Sequence, residues 1–213
     1  MFVKDIYFIR RTAYSSYVAY LPAFKNIFGY KSSERGLRVK KDIGLWQFGG
    51  FVFATALGTV LHFLLGWTDA DFLAPVCAVN ESTWEHMKIL FFPMLFFALI
   101  QYPFFQKEYQ GFWWIKLISV LVGVGSVPIF FYTYNGAFGP SPDWLNIAFF
   151  FLSAGLGYFV EWLLFRKQWA VRNGFIALLS LLGIAVVFVV FTYIPPHLPI
   201  FQDPLTKTYG FIK

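Results

Sequence analysis

Five stretches of the chain, near residues 44–66, 86–105, 112–134, 144–165 and 174–195, are apolar over the length of about 20 residues that a helix needs to cross a bilayer. Composition agrees. Only 13% of residues are charged, about half the share typical of soluble domains. The expectation is an all-α polytopic transmembrane bundle of about five spans. Its parts are a segment over residues 1–43, the spans over 44–195 and a Pro-rich tail over 196–213, with no room for a second sizeable domain. The single cysteine, Cys77, excludes an internal disulfide and says nothing about redox compartment. No apolar core followed by a small-residue cleavage site precedes the first span, so no cleavable signal peptide is expected.

The charge pattern gives an orientation. Residues 1–43 hold nine Lys/Arg against three acids. Basic residues favour cytoplasmic loops, which places the N-terminus in the cytoplasm. Alternation then puts Lys107, Arg166, Lys167 and Arg172 inside. The loops after spans one and three, which carry no Lys or Arg before Lys88, fall outside. The C-terminus is expected to be extracytoplasmic. The net charge of +6 is absorbed by this topology and by anionic headgroups, which argues against a nucleic-acid partner. Residues 1–43 also interleave aromatic with basic residues, the composition of an interfacial segment.

Within the spans, Gly50, Ala54, Gly58 and His62 recur every four residues, a ridge on one helix face that invites close packing. Pro93 and Pro103 predict a kink or early end in span two, and Gly123, Gly125, Ser126 and Pro128 a break or close approach in span three. Lys116 and Glu161 are intramembrane charges near the inner face. Snorkelling to headgroups or mutual pairing is the expected use; an inward-facing Glu161 would instead suggest an ion path.

The densest polar run is Asn80-Glu81-Ser82-Thr83-Trp84-Glu85-His86-Met87-Lys88, at the entrance to span two. Ser82 and Glu85 have the spacing of a capping box, and Trp84 then reads as an interfacial anchor. Asn80-Glu81-Ser82 also matches a glycosylation sequon, a pattern common by chance. Capping leaves Glu81, His86 and Lys88 without a purpose. Glu81, Glu85 and Lys88 fall at i, i+4 and i+7, on one face if the helix includes them. His62 is expected at the same depth, and His197 and Asp203 arrive from the tail. Two or three imidazoles with a carboxylate are a ligand set for zinc or another divalent transition metal. His62, His86 and His197 are therefore the candidate metal ligands. Glu81 or Glu85 is a candidate for the carboxylate ligand or for the general base on a water that the metal activates, and Lys88 is a candidate for binding an anionic headgroup or developing negative charge.

The run Val79–Lys88, continued by Leu90-Phe91-Phe92-Pro93-Met94, resembles the signature of a bacterial multi-pass membrane family known only as a domain of unknown function. Leu57–Phe63 is similar to that family's first span, and Pro195-Pro196-His197 with Phe201 to Gly210 is similar to its tail. The resemblance covers roughly residues 45–213, with the N-terminal 43 as an addition. It implies a bacterial plasma membrane and no assigned activity.

Three function classes follow. A metal-dependent membrane hydrolase would act on a lipid or amphipathic substrate at the outer face. A small transporter would need Glu161 or Lys116 on a through-path, and five spans without an inverted repeat disfavour it as a monomer; a homo-oligomer stays open. A non-catalytic assembly or sensor protein would use the cassette as a cap and the outer His/Glu cluster as a pH-responsive group.

Overall fold

The computed structural model describes residues 42–167, 171 and 173–212 of the chain. Five helices are long and apolar enough to cross a membrane: α1 (Ile43–Thr68), α2 (Thr83–Phe105), α3 (Phe112–Phe138), α4 (Asp143–Arg166) and α5 (Phe175–Tyr193). The chain is a multi-pass membrane protein by length and composition of these helices. The expected spans match α1–α5 to within a few residues at each end. The interfacial reading of residues 1–43 falls outside the described residues, apart from Asp42 and Ile43.

Helix is what an apolar segment must adopt in lipid, where no water is present to satisfy backbone groups. The same rule governs polar side chains in α1. Thr55, Thr59 and Thr68 each donate to the carbonyl four residues earlier, at 2.8 Å. Successive helices run antiparallel: Gly58 meets Ile89, Gly50 meets Phe97, and Gly123 meets Gly157. α2 is the central helix. Of its most apolar 18-residue window 67% is buried, against 22% for α5. Its Ile89, Leu90, Phe91 and Met94 are essentially inaccessible and form the middle of the core with Ala54, Val120, Ala154, Leu181 and Phe188.

The expected ridge on α1 is present and buried at Gly50, Ala54 and Gly58. Pro93, Pro103 and Pro128, by contrast, do not end their helices. Pro93 offers no N–H to the carbonyl of Ile89. That carbonyl lies where a Cβ on Gly58 would approach to 2.8 Å, so the ridge lets a neighbouring backbone close over the group that the proline leaves without a helical partner.

Beyond α5 the chain makes a 3-10 turn, Pro199–Phe201, and folds back onto the bundle. Phe201 is buried against Trp84 and Phe191, at centroid distances of 4.6 and 5.4 Å. The Phe211 amide donates to the Thr192 carbonyl at 2.8 Å. Gly210, at φ 66°, has that same carbonyl and the Pro195 ring within 2.9 Å of any added Cβ, so only glycine fits. The tail therefore docks on the end of the bundle that carries His62.

Candidate metal centre

Three of the expected residues converge at that end. His62 lies near the C-terminus of α1 and His86 in the first turn of α2. Glu81 is in the connection just before α2. One carboxylate oxygen, Glu81 Oε2, lies 3.4 Å from His62 Nε2 and 3.6 Å from His86 Nε2. The three ligand atoms all sit within 4.8 Å of one another. Ligands of a tetrahedral zinc at about 2.0–2.1 Å are roughly 3.3 Å apart, so the two carboxylate–imidazole separations match those around a small divalent ion. The side chains are 22%, 25% and 43% exposed for His62, His86 and Glu81, so the group opens to the surface.

The local sequence explains why these atoms meet. Asn80 Oδ1 accepts from the Ser82 amide at 2.9 Å and Asn80 Nδ2 donates to the Gly210 carbonyl at 3.1 Å, tying the connection to the tail. Asp203 accepts from the Glu81 amide at 3.5 Å and from Leu205 and Thr206 at 2.7 and 3.2 Å. Burial alone would raise the Asp203 carboxyl; these amides outweigh it and hold it below the usual range. Glu81 also titrates below its ordinary value, chiefly through its hydrogen bond to His62, with the two neighbouring imidazoles adding to it against partial burial.

His86 Nδ1 lies 2.9 Å from the Ser82 carbonyl. A carbonyl only accepts, so Nδ1 carries a proton, and in the neutral ring Nε2 presents a lone pair towards the Glu81 carboxylate. Two acceptors then face each other at 3.6 Å, an arrangement that a metal ion, or a proton on Nε2, would satisfy. A ligating histidine typically donates its other ring N–H to a carbonyl or carboxylate, and His86 meets that pattern. His62 Nδ1 is buried and has no hydrogen-bond partner among the described residues. The tautomer with hydrogen on Nε2, donating to Glu81, suits that environment.

The other expected residues are elsewhere. Glu85 and Lys88 form a buried ion pair at 2.5 Å. Lys88 Nζ also donates to the Ala74 carbonyl at 2.9 Å and to Thr192 Oγ1 at 2.8 Å, which accounts for its three N–H groups. Glu85 accepts from the Val79 amide at 3.1 Å. The shared face expected for Glu81, Glu85 and Lys88 does not form, because α2 begins at Thr83 and Glu81 precedes it. Only half of the capping box is made: Ser82 Oγ accepts from the Glu85 amide at 3.4 Å, while the Glu85 carboxylate turns to Val79 and Lys88. Trp84, read from the sequence as an interfacial anchor, is half-buried at the start of α2. It packs among Phe188, Phe191 and Phe201. His197 packs against Tyr209, with ring centroids 4.7 Å apart and the planes tilted by 39°, and is not a member of the three-residue group. Of the two expected uses of Glu81, its place beside both imidazoles is that of the carboxylate ligand.

Lys116 and Glu161 pair with each other at the opposite end of the bundle, and both are 1% exposed, so neither snorkels. Gln101 accepts from Lys116, and Ser119 donates to Glu161 at 3.0 Å. The rings of Phe97, Phe112 and Phe165 surround the Lys116 ammonium at 5.5–5.9 Å. Gln101, Ser119 and Thr192 were not singled out from the sequence; their signal was a polar side chain inside an apolar run, which demands a partner.

A model of a family of unknown function (DUF6512) matches residues 37–211. The chain belongs to that family. The match covers all five helices, the three-residue group and the docked tail, and it begins ahead of the residue-45 boundary that the resemblance suggested. No curated protein and no solved structure matches the chain.

Proposed function

We propose that this protein holds a divalent transition metal of the zinc class through His62, Glu81 and His86, and uses it in hydrolysis of a lipid or amphipathic substrate at the membrane surface. The observation that carries the metal reading is the pair of imidazole Nε2 atoms at 3.4 and 3.6 Å from one carboxylate oxygen, with His86 Nδ1 already committed to a carbonyl. Two His and one Glu are a ligand set of catalytic zinc sites, which leave coordination positions open, whereas structural sites are closed by four protein ligands. A metal here would supply Lewis acidity to a carbonyl or phosphoryl oxygen. The charge pattern supports an extracytoplasmic placement of this end, in a plasma membrane.

The residues of the chain divide the work. His62, His86 and Glu81 bind; Ser82 fixes the His86 tautomer; Asp203 holds the backbone of Glu81. Glu85 is occupied by Lys88 and is not offered as the base. The transporter reading gains nothing from the geometry. The two buried ion pairs lie at opposite ends of the bundle, and on α2 the apolar Ile89–Leu95, Phe97 and Ala98 fill the interval between them.

The test is elemental analysis of purified, detergent-solubilised protein beside His86→Ala and Glu81→Gln. Near-stoichiometric metal in the wild type, lost in both variants, is the expected result. Ester-bearing lipids are then screened with and without chelator. A folded wild type that takes up no added zinc overturns the reading.

A further inference from the structure

At the end of the bundle opposite His62, α1 and α4 leave a surface groove among the described residues. It has a volume of about 390 Å³ and is lined by Gly44, Gln47, Phe48, Phe51, Gly155, Tyr158, Phe159 and Trp162. Two of these residues are out of place on an apolar wall. Gln47 is 4% exposed, and neither its amide nitrogen nor its amide oxygen has a hydrogen-bond partner among the described residues. Tyr158 is 3% exposed and its hydroxyl is likewise unpartnered. A buried polar group without a partner is costly to fold around, and such groups in membrane helices mark binding sites or pathways.

The rest of the groove says what would satisfy them. Gln47 is one helical turn into α1 and Tyr158 about two turns before the end of α4. Both therefore lie roughly 6–12 Å inside the helix ends, about where the glycerol esters of a phospholipid pass into its acyl chains. Nearer the surface, Trp162 carries the guanidinium of Arg166 stacked at 4.7 Å, and Arg166 and Lys167 are exposed. Deeper, Phe51 faces Gly155, where an added Cβ would meet only the Phe51 ring at 3.8 Å. That leaves an open shelf for an acyl chain. Cation, hydrogen-bonding pair and aromatic shelf follow one another along the groove in the order phosphate, ester and chain.

We propose that this groove is a binding site for one anionic glycerophospholipid, with Arg166 on the phosphate, Gln47 and Tyr158 on ester or glycerol oxygens, and a chain against Phe51 and Gly155. The metal reading at the other end of the molecule is independent of it.

The experiment uses the full chain in detergent. Native mass spectrometry and thermal melts are run with added phosphatidylglycerol or phosphatidylcholine of identical chains. Wild type is expected to retain phosphatidylglycerol and to gain thermal stability from it more than from phosphatidylcholine. Gln47→Leu removes two unpartnered atoms, so the lipid-free protein should melt no lower than wild type, yet bind phosphatidylglycerol about tenfold more weakly. Gly155→Trp fills the shelf and should abolish retention. Arg166→Gln should keep binding and lose the preference for the anionic lipid. Equal retention of the two lipids by wild type overturns the proposal. So does undiminished phosphatidylglycerol binding in a folded Gln47→Leu or Gly155→Trp variant.

Discussion

Lys88 Nζ lies 2.5 Å from the Glu85 carboxylate, and the two side chains are 0% and 2% exposed. Because Ala74 and Thr192 take the remaining Lys88 protons, this pair fastens α2 to the α1–α2 connection and to α5. Removing one partner strands a buried charge, a cost of ~3–5 kcal/mol, whereas an apolar pair of similar volume is often neutral. Glu85→Leu and Lys88→Met should each destabilise strongly in denaturation titrations. The double variant should recover most of the loss and keep its metal. Loss of metal in a stable double variant would return the pair to the site.

Glu81 should make stability acid-sensitive. Its folded pKa lies below the ordinary 4.5, so its contribution is fully present above that value. It disappears as pH falls through the lower, folded value. Glu81→Gln should flatten the melting temperature of the metal-free protein against pH below about 4.5, with wild type retaining the slope. Identical profiles would separate Glu81 from its imidazoles.

Metal binding should compete with protons for the site. A neutral His62 that ligates through Nε2 carries its hydrogen on Nδ1 instead, so a proton is displaced only where a ligand is protonated before the metal arrives. Zinc affinity followed by competition with a chromogenic chelator should rise with pH wherever a ligand is protonated, by on the order of tenfold per unit for each proton displaced. A pH-independent affinity would place the ion elsewhere.

Gly58 should tolerate nothing larger. An added Cβ would meet the Ile89 carbonyl at 2.8 Å and the Phe150 ring at 2.6 Å, and backbone cannot step aside. Gly58→Ala should cost ~1–3 kcal/mol. Gly183, on α5, has nothing within 4 Å, so Gly183→Ala should be neutral or stabilising by up to about 1 kcal/mol. Parallel thermal melts decide it.

Asp203→Ala should loosen the tail, since one carboxylate holds the amides of Glu81, Leu205 and Thr206. Hydrogen exchange should increase over residues 200–212, and zinc affinity should fall about tenfold, the usual effect of losing a supporting contact. Unchanged affinity with a mobile tail would uncouple the tail from the site.

The five helices were legible because length and apolar composition alone decide a span. The α1 ridge was legible because small residues at every fourth position can serve only packing. The convergence of His62 and His86 followed from depth in adjacent antiparallel spans. What could not be read was how the polar run divides. Its residues look contiguous, but the start of α2 at Thr83 sends Glu81 outward and Glu85 and Lys88 inward. Of the kink or early end expected at Pro93, the early end does not occur, and Gly58 lies against the carbonyl that the proline frees. Gln47 and Tyr158 gave no signal beyond being polar within apolar runs.

The docked tail has a consequence for biogenesis. Glu81 is held by Asp203 and Asn80 is tied to Gly210, yet these partners are separated by α2–α5. The tail reaches His62 only if all four intervening helices have crossed the bilayer with the correct polarity. One missed crossing leaves Asp203 in the wrong compartment. The geometry of the three-residue group is in that sense a proofreading mark: it is assembled only in a chain whose insertion has been completed.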